Sequence, residues 1–420
     1  PGGPMKPLLR LNLLLICSLL ICACAAPSKR ASVSAQAAKG QIDSAALSRT
    51  PEPQAQDPLA KRRPRDLTVR ILLAEKQKSA LIKHTGKVYI YTLNLDKKYK
   101  ISAPGTLSVK ALGGGKIQVG TLQSAKTIVL EPALNTLLVW NKNSYSGKIY
   151  IIPAGNTFHL VEHAPLETYL YGVLPYEMSY SWPLEALKAQ AVAARTYTLK
   201  TLESVKNQNF DLFSDVRSQM YKGGGKQYDS VKKAVDGTRG EVLTYQDKLF
   251  FTYYHANCGG GTDDVRSWNP GTASIKPISG ASCKTDSHSK SYKWQMSISR
   301  AKVENYAKSV GLSGSLKSIK IARKTDTGRA TNLTIRTSKG SKTVPCGKFR
   351  LATGIRSCKI TKLSVRKKEV YFEGKGYGHG IGMCQDGAHG MAQDGKNYKK
   401  ILKNYYPGSE IKNLSNYYGI

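Results

Sequence analysis

Acidic residues are scarce in this chain of 420 residues. Aspartate and glutamate together number 28, against 64 lysines and arginines, which gives a formal net charge of +36. Such an imbalance predicts an affinity for polyanions or anionic surfaces. Apolar residues make up 40% of the chain and charged residues 22%, which is ordinary for a globular protein and argues against overall disorder.

Recognisable nucleic-acid-binding motifs are also missing. The sequence has no zinc-finger spacing, no RNP-type aromatic run and no basic heptad. Its lysines are spread along the chain, which is typical of a diffuse positive field and not of a sequence-reading surface. We therefore expect no nucleic-acid partner.

The N-terminal apolar stretch, residues 11–22, is too short for a comfortable transmembrane helix. It follows two basic residues and ends Ile-Cys-Ala-Cys, which resembles a bacterial lipobox with Cys24 as the lipidated residue. Ordinary signal cleavage after Ala25 is the alternative. Either interpretation predicts an exported protein of the periplasm or cell envelope. The lipobox makes residues 1–23 the leader and adds a lipid anchor in the membrane.

Composition divides the rest of the chain into three segments. Residues 24–66, rich in Ala, Ser, Gln, Pro and Lys, predict a flexible tether. Residues 67–146 hold short β-type runs separated by glycines and predict a small β-rich domain. Residues 147–420 mix strand and helix patterns, with an inserted α/β segment near residues 300–373. We expect an α+β fold of mixed sheets with a packed central helix, preceded by the β-rich domain.

The most informative stretch is residues 169–200. An apolar run at 169–174 predicts a strand, which Pro175 ends before a loop that holds Glu177. Pro183 opens an Ala-rich helix, because the first N–H groups of a helix are unpaired in any case. Aromatic residues flank Glu177, and desolvation among them raises a carboxyl pKa towards that of a proton donor. A solvated loop acid is the simpler alternative.

Two blocks of this chain resemble the signatures of the SpoIID/LytB family, stage II sporulation protein D and its relatives. The first, residues 172–197, contains Gly-Val-x-Pro-x-Glu-Met followed by Trp-Pro and an Ala-rich run that ends Arg-Thr-Tyr. The second begins with a glycine-rich run at residues 374–385 and ends Tyr-Tyr-Pro-Gly. Cys384 replaces the family's commoner Ser. The resemblance covers residues 147–420.

The resemblance implies a lytic transglycosylase of peptidoglycan. Such an enzyme cleaves the β-1,4 bond from MurNAc to GlcNAc and leaves 1,6-anhydro-MurNAc ends, and sporulation-type members prefer peptide-stripped strands. Glu177 would act as both acid and base, so that the second carboxylate of the usual hydrolase is not needed. Peptidoglycan carboxylates would also suit the positive charge of the chain. The alternative, from the LytB branch, is a non-catalytic enhancer of an N-acetylmuramoyl-L-alanine amidase, with that amidase as partner.

Substrate contacts are expected at eight further positions in or near the two signatures. For Tyr221 core packing is at least as good an interpretation, and a lone histidine such as His379 is commonly structural. The expected contact residues are Tyr176, Lys188, Gln190, Arg195, Gln219, Tyr221, His379 and Gln385.

The cysteines leave an alternative open. Eight are present, and setting aside Cys17, Cys22 and the expected lipidation site Cys24 leaves five, an odd number for an oxidising compartment. The resemblance makes Cys258 and Cys283 a pair, most simply a disulfide, and we expect no metal and no cofactor. Some relatives have a metal ligand where Ser218 stands, so a zinc site there is not expected. The weaker alternative is zinc held by His255, Cys258, Cys283 and either Asp286 or His288. Cys346 and Cys358 would be either bridged or buried free thiols.

Overall fold

The structure is a computed structural model that describes residues 67–94, 98–205 and 209–417. All of them fall within one compact unit, Leu47–Ile420. The leader, the tether and Cys24 lie outside the described residues. Within the described part of the chain, no helix combines the length and the apolarity needed to cross a bilayer.

Strands dominate the first part of the chain, and helices enter after residue 165. The strands are β1 (Thr68–Gln77), β2 (Ser79–His84), β3 (Val88–Thr92), β4 (Lys98–Ile101), β5 (Gly105–Gly113), β6 (Lys116–Val119), β7 (Leu122–Ser124), β8 (Ile128–Pro132), β9 (Leu138–Trp140), β10 (Asn143–Tyr145), β11 (Lys148–Ala154), β12 (Thr157–Pro165), β13 (Leu212–Phe213), β14 (Glu241–Tyr245), β15 (Lys248–Leu249), β16 (Tyr254–His255), β17 (Lys293–Ser299), β18 (Leu316–Lys324), β19 (Ala330–Thr337), β20 (Gly340–Pro345), β21 (Ile360–Val365), β22 (Glu369–Lys375), β23 (Met383–Cys384) and β24 (Glu410–Asn413). The helices are α1 (Leu166–Glu177), α2 (Leu184–Ser204), α3 (Asp229–Asp236), α4 (Arg300–Ser309), α5 (Cys346–Thr353), α6 (Gln385–Gln393), α7 (Tyr398–Tyr405) and α8 (Leu414–Tyr417).

Two sheets build the strand-rich part. A seven-stranded sheet runs β13-β1-β12-β11-β8-β3-β4, and a six-stranded sheet runs β10-β9-β2-β5-β6-β7. Residues of β2 alternate between exposed and buried, so that one face of its sheet is apolar. Both sheets contribute to a single hydrophobic cluster with the helices that follow. Because β1 pairs with β12, strands from both sides of residue 146 share one sheet.

The central helix is α2. It begins directly after Pro183, as predicted, and most of its length is buried, including Leu187, Ala191 and Ala194. Leu184, in the first turn, is 37% exposed. Alanines keep the helix thin enough for α1, α3, α6, α7 and β14 to pack around it. The predicted α+β fold with a packed central helix is confirmed.

A second hydrophobic cluster belongs to residues 294–372. Helices α4 and α5 pack there with two antiparallel three-stranded sheets, β17-β22-β21 and β18-β19-β20. Helix α4 and strands β18 and β19 lie within the α/β segment that the sequence predicted near residues 300–373.

The strand predicted at residues 169–174 is wrong. These residues form the middle of α1, with Pro165 before its first turn and Pro175 in its last. A short apolar run cannot by itself distinguish a buried strand from a buried helix. Gly172 lets the helix pack closely, because a Cβ there would lie 2.4 Å from the Tyr221 ring and 2.7 Å from the backbone of Gly223.

Candidate functional site

Glu177 is the last residue of α1, and not a residue of a free loop. The chain turns away at Met178, whose extended backbone ends the helix. The Glu177 side chain reaches a separate loop, where the backbone N–H of Met220 donates to its Oε1 at 2.8 Å. The helix therefore fixes the backbone of Glu177, and the loop fixes its carboxyl group.

Burial controls the ionisation of Glu177. Desolvation raises the pKa of the carboxyl group to about 7, while hydrogen bonds from the Met220 N–H and the Gln385 side chain oppose that rise. Burial favours the neutral acid, whereas the two donors favour the carboxylate. Near neutral pH both forms are populated, which is what one group needs to donate a proton and later to accept one.

The charge of Glu177 acts on three buried tyrosines: Tyr169, Tyr197 and Tyr254. Burial raises the pKa of each phenol, and the negative charge of Glu177 adds to the increase. All three phenols therefore stay protonated at neutral pH. They provide the aromatic surroundings that the sequence predicted, although none of them is among the residues adjacent to Glu177 in the chain.

Gln219 orders two of these tyrosines. Its Nε2 donates to the hydroxyl of Tyr169 at 3.1 Å and to Oγ1 of Thr198 at 2.8 Å, and its Oε1 accepts from Tyr254 at 2.7 Å. Gln219 is 1% exposed. It orients Tyr169 and Tyr254 from within the core, instead of facing the substrate as predicted.

The second signature lies against the first. Strand β23 pairs in parallel with β16, which places Met383 opposite Tyr254. Gln385 follows at the start of α6, bonds to Glu177, and lies 3.4 Å from Gln190 (Nε2 to Oε1). The buried Nε2 of Gln190 has no hydrogen-bond partner within the described residues. Gln385 thus connects the two signature blocks at the carboxyl group itself.

His379 lies in a group of aromatic side chains with Trp268 and Tyr253. Its ring stacks on Trp268 with centroids 5.2 Å apart, and Tyr253 packs at its edge at 6.2 Å. The Ile381 N–H donates to its Nδ1 at 3.1 Å. Burial, aided by the charge of Arg350, lowers the pKa of His379 to about 3, so the ring is neutral and does not supply a charge to the site.

Sequence reasoning missed Trp268. This indole is 37% exposed and presents an aromatic face next to His379. Tyr176 and Tyr180, on either side of Glu177, are likewise partly exposed. Exposed aromatic faces suit the apolar faces of sugar rings. The available signal was an aromatic residue close after the glycine-rich segment 259–261, a position that carries no motif.

Several predicted contact residues have structural roles instead. Arg195 is fully buried and forms a bidentate ion pair with Glu167 at 2.9 and 2.7 Å. Lys188 pairs with Glu185 at 2.8 Å. Arg195 is therefore corrected from a substrate contact to a core ion pair, since no face of it is open to a ligand.

A second buried acid, which the sequence did not reveal, is Glu162. The Tyr221 hydroxyl donates to its Oε2 at 2.7 Å, and the Gly147 N–H donates to its Oε1 at 3.0 Å. Burial raises its pKa to about 7. Both Glu162 and Tyr221 are at most 2% exposed, which makes the core-packing interpretation of Tyr221 the correct one.

The structure contradicts the predicted disulfide between Cys258 and Cys283. Both are free thiols, as are Cys346, Cys358 and Cys384. The Cys258 thiol donates to Oδ2 of Asp286 at 3.1 Å, and Cys283 lies 3.1 Å from the Tyr405 hydroxyl (Sγ to OH). These contacts hold the two thiols in a wider cluster instead of a pair.

The histidines of the alternative zinc set are not among the ligand atoms that converge in the described residues. His255 is engaged through Nδ1 with the Ile381 carbonyl at 3.1 Å, and His288 lies 3.3 Å from His389 (Nε2 to Nδ1). The group of ligand-type atoms that does converge consists of Cys258, Cys283, Asp286 and Cys384. Sequence reasoning did not include Cys384, which stands where the family commonly has serine.

The chain is similar to several known proteins. The family described as Stage II sporulation protein matches residues 154–245. An uncharacterised protein of Brachyspira hyodysenteriae is 37% identical over 277 residues, which cover 64% of this chain and 73% of that protein. The stage II sporulation protein D of Bacillus amyloliquefaciens is 29% identical, over 62% of this chain and 77% of its own length.

A third relative represents the other branch. The amidase enhancer of Bacillus subtilis is 32% identical over 294 residues, which cover 58% of this chain but 40% of that protein. With both signatures in one site, the chain belongs to the SpoIID/LytB family.

Proposed function

We propose that this protein is a lytic transglycosylase that cleaves the β-1,4 bond between MurNAc and GlcNAc in peptidoglycan. The observation that supports it is the setting of Glu177: a carboxyl group with a pKa near 7, held between the Met220 N–H and Gln385. Such a group can serve as acid and base in one cycle.

In the first step, protonated Glu177 donates its proton to the glycosidic oxygen as the bond from that oxygen to C1 of MurNAc breaks. The GlcNAc unit leaves with a new hydroxyl group, and positive charge develops on the muramyl ring as an oxocarbenium-like transition state. The carboxylate that forms is stabilised by the Met220 N–H and the Gln385 side chain.

In the second step, the Glu177 carboxylate accepts the proton of the muramyl 6-hydroxyl as its oxygen bonds to C1. The 1,6-anhydro ring closes, and Glu177 regains its proton for the next cycle. Water takes no part, so a second catalytic carboxylate is not required. Glu162 fits this picture, because both of its oxygens are occupied by donors in the core.

The surroundings suit a glycan polymer. Tyr176 and Tyr180 expose aromatic surface within three residues of Glu177, and Trp268 exposes an indole next to His379. The net charge of +36 favours a polymer that carries carboxylates. Relatives named for sporulation and for amidase enhancement agree with a place outside the cytoplasm, in the cell envelope. A lipid anchor at Cys24 and a preference for peptide-stripped strands belong to the same proposal.

The second candidate is an enhancer of a separate amidase. It is favoured by the relative named amidase enhancer, which is as similar to this chain as the sporulation proteins are. In that role the protein would bind glycan and the amidase without breaking glycosidic bonds.

Mass spectrometry of reaction products separates the two candidates. The protein is incubated with intact and with peptide-stripped glycan strands, and both reactions are repeated with an N-acetylmuramoyl-L-alanine amidase. Anhydromuramyl ends formed by the protein alone support the transglycosylase. Intact strands in every reaction, together with faster peptide release by the amidase, overturn it in favour of the enhancer.

A further inference from the structure

We propose that Cys258, Cys283, Asp286 and Cys384 form a structural zinc site. One ligand-type atom from each of the four residues lies within 4.8 Å of every other. A tetrahedral zinc ion with bonds of about 2.3 Å to sulfur places its ligand sulfurs about 3.8 Å apart. The cluster therefore needs only small side-chain adjustments to surround an ion.

The donor set indicates the metal and its role. Three thiolates and one carboxylate are zinc ligands, and four protein ligands leave no position for water or substrate. All four residues are at most 4% exposed. A closed, buried, four-ligand set is typical of a structural zinc site and not of a catalytic one.

Backbone N–H groups already donate to two of the ligand atoms. Cys384 Sγ accepts from the backbone N–H groups of Cys258 at 3.2 Å and of Gly387 at 3.4 Å. Asp286 Oδ2 accepts from the Gly260 N–H at 3.0 Å. Donors of this kind orient metal ligands and stabilise their negative charge. A buried group of three thiolates and one carboxylate needs such donors because it carries several negative charges away from water.

The backbone is shaped closely around the cluster. A Cβ on Gly387 would lie 2.5 Å from Cys283 Sγ and 2.0 Å from the Tyr405 hydroxyl, so only glycine fits there. The buried Asn257 amide donates to the Asp286 carbonyl at 3.0 Å and to Asp386 Oδ2 at 2.9 Å. These contacts fix three distant segments of the chain at the positions from which their ligands converge.

A disulfide explains this arrangement less well than a metal does. A disulfide can join only two of the three sulfurs. The third thiol and the Asp286 carboxyl group would then stay buried next to the disulfide, with no group that binds both of them. One ion satisfies all four groups at once. Binding releases the three thiol protons to solvent and oxidises nothing.

The site has a consequence for the signature blocks. Cys384 directly precedes Gln385, which bonds to Glu177. Zinc would fix the start of α6 and with it the position of Gln385. The inference does not depend on whether the protein cleaves glycan, because a structural ion would serve the enhancer equally well.

Metal analysis of the purified full chain tests the proposal. We expect inductively coupled plasma mass spectrometry to find one zinc ion per chain. Replacing zinc with cobalt should give strong visible d–d bands and near-ultraviolet thiolate-to-cobalt absorption, and a chelator should lower the Tm. Cys384→Ser and Asp286→Asn should each lose most of the zinc, whereas Cys346→Ser, a matched buried thiol outside the cluster, should keep it.

Three results would overturn the site. One is a metal-free chain whose unreduced mass is lower by two hydrogens, since that shows a disulfide within the cluster. The others are copper or iron in place of zinc, and full zinc occupancy in Cys384→Ser. If the variants fail to fold, cobalt spectra and thiol counts of the wild-type chain decide the question alone.

Discussion

The backbone N–H of Met220 donates a 2.8 Å hydrogen bond to Oε1 of Glu177, across 43 residues of chain. The bond favours the carboxylate, whereas burial favours the acid, and the pKa of Glu177 lies near 7 as a result. A carboxyl group balanced in this way can be protonated when substrate binds and ionised after bond cleavage. This balance is the feature from which the catalytic proposal derives.

Glycan cleavage should depend on pH through Glu177. The proposed first step needs the protonated acid, so kcat/KM should fall as pH rises through about 7. Rates of anhydromuramyl formation from about pH 5 to about pH 9 measure this limb. Activity that stays level, or that rises, above pH 7 would show that Glu177 is not the proton donor.

Removing the Gln385 hydrogen bond should change the pH at which kcat/KM falls. The Gln385 side chain lowers the pKa of Glu177, so Gln385→Leu should raise this pKa and shift the alkaline fall in kcat/KM to higher pH. Gln295→Leu, at an exposed position on β17, is the matched control and should leave the profile in place. An unchanged profile in Gln385→Leu would mean that Gln385 does not act on Glu177.

The same pKa shift predicts a cost in stability. Because the folded-state pKa of Glu177 lies above its usual value of 4.5, the native state holds the proton more tightly than the unfolded chain does. Stability therefore falls as pH rises from about 4.5 through about 7. Glu177→Gln, which cannot ionise, should be more stable than wild type by about 1–2 kcal/mol above pH 8.

Urea unfolding at several pH values measures this difference. The advantage of Glu177→Gln should be absent below about pH 4.5, where the glutamate is protonated in both states. An advantage that is independent of pH would indicate a packing effect instead of ionisation.

Arg195 should matter for folding and not for substrate contact. Arg195→Ala leaves the Glu167 carboxylate without its partner in the core, and it should cost about 3–5 kcal/mol of unfolding free energy. Lys188→Ala, on the same helix but in a partly exposed pair, should cost at most about 1 kcal/mol. Denaturant unfolding compares the two, and equal costs would contradict the structural role of Arg195.

Local patterns in the sequence predicted much of the fold. Short β-type runs separated by glycines predicted the strand-rich region that contains β5 and β6, and the proline before an Ala-rich stretch predicted the start of α2. The same reasoning failed for α1, because an apolar run followed by proline fits a strand as well as a buried helix. Periodicity reports which face is buried only when polar residues interrupt the run.

Much of the candidate site depends on contacts that local patterns do not encode. The family signature located Glu177, but not the Met220 N–H or the stacking of Trp268 on His379. Cys384 lies 126 residues from Cys258, and only the folded chain brings their sulfur atoms together. Such contacts are set by the tertiary fold, so a single sequence shows the residues but not which of them are in contact.

The most direct test of the catalytic proposal is product analysis with Glu177→Gln. Wild type should produce 1,6-anhydro-MurNAc ends from glycan strands, and Glu177→Gln should lose this activity by at least about a thousandfold, because the glutamine amide can neither donate nor accept the proton. Glu185→Gln, which removes an acid from the first turn of α2, should keep the activity. Anhydromuramyl ends formed by Glu177→Gln at the wild-type rate would contradict the account.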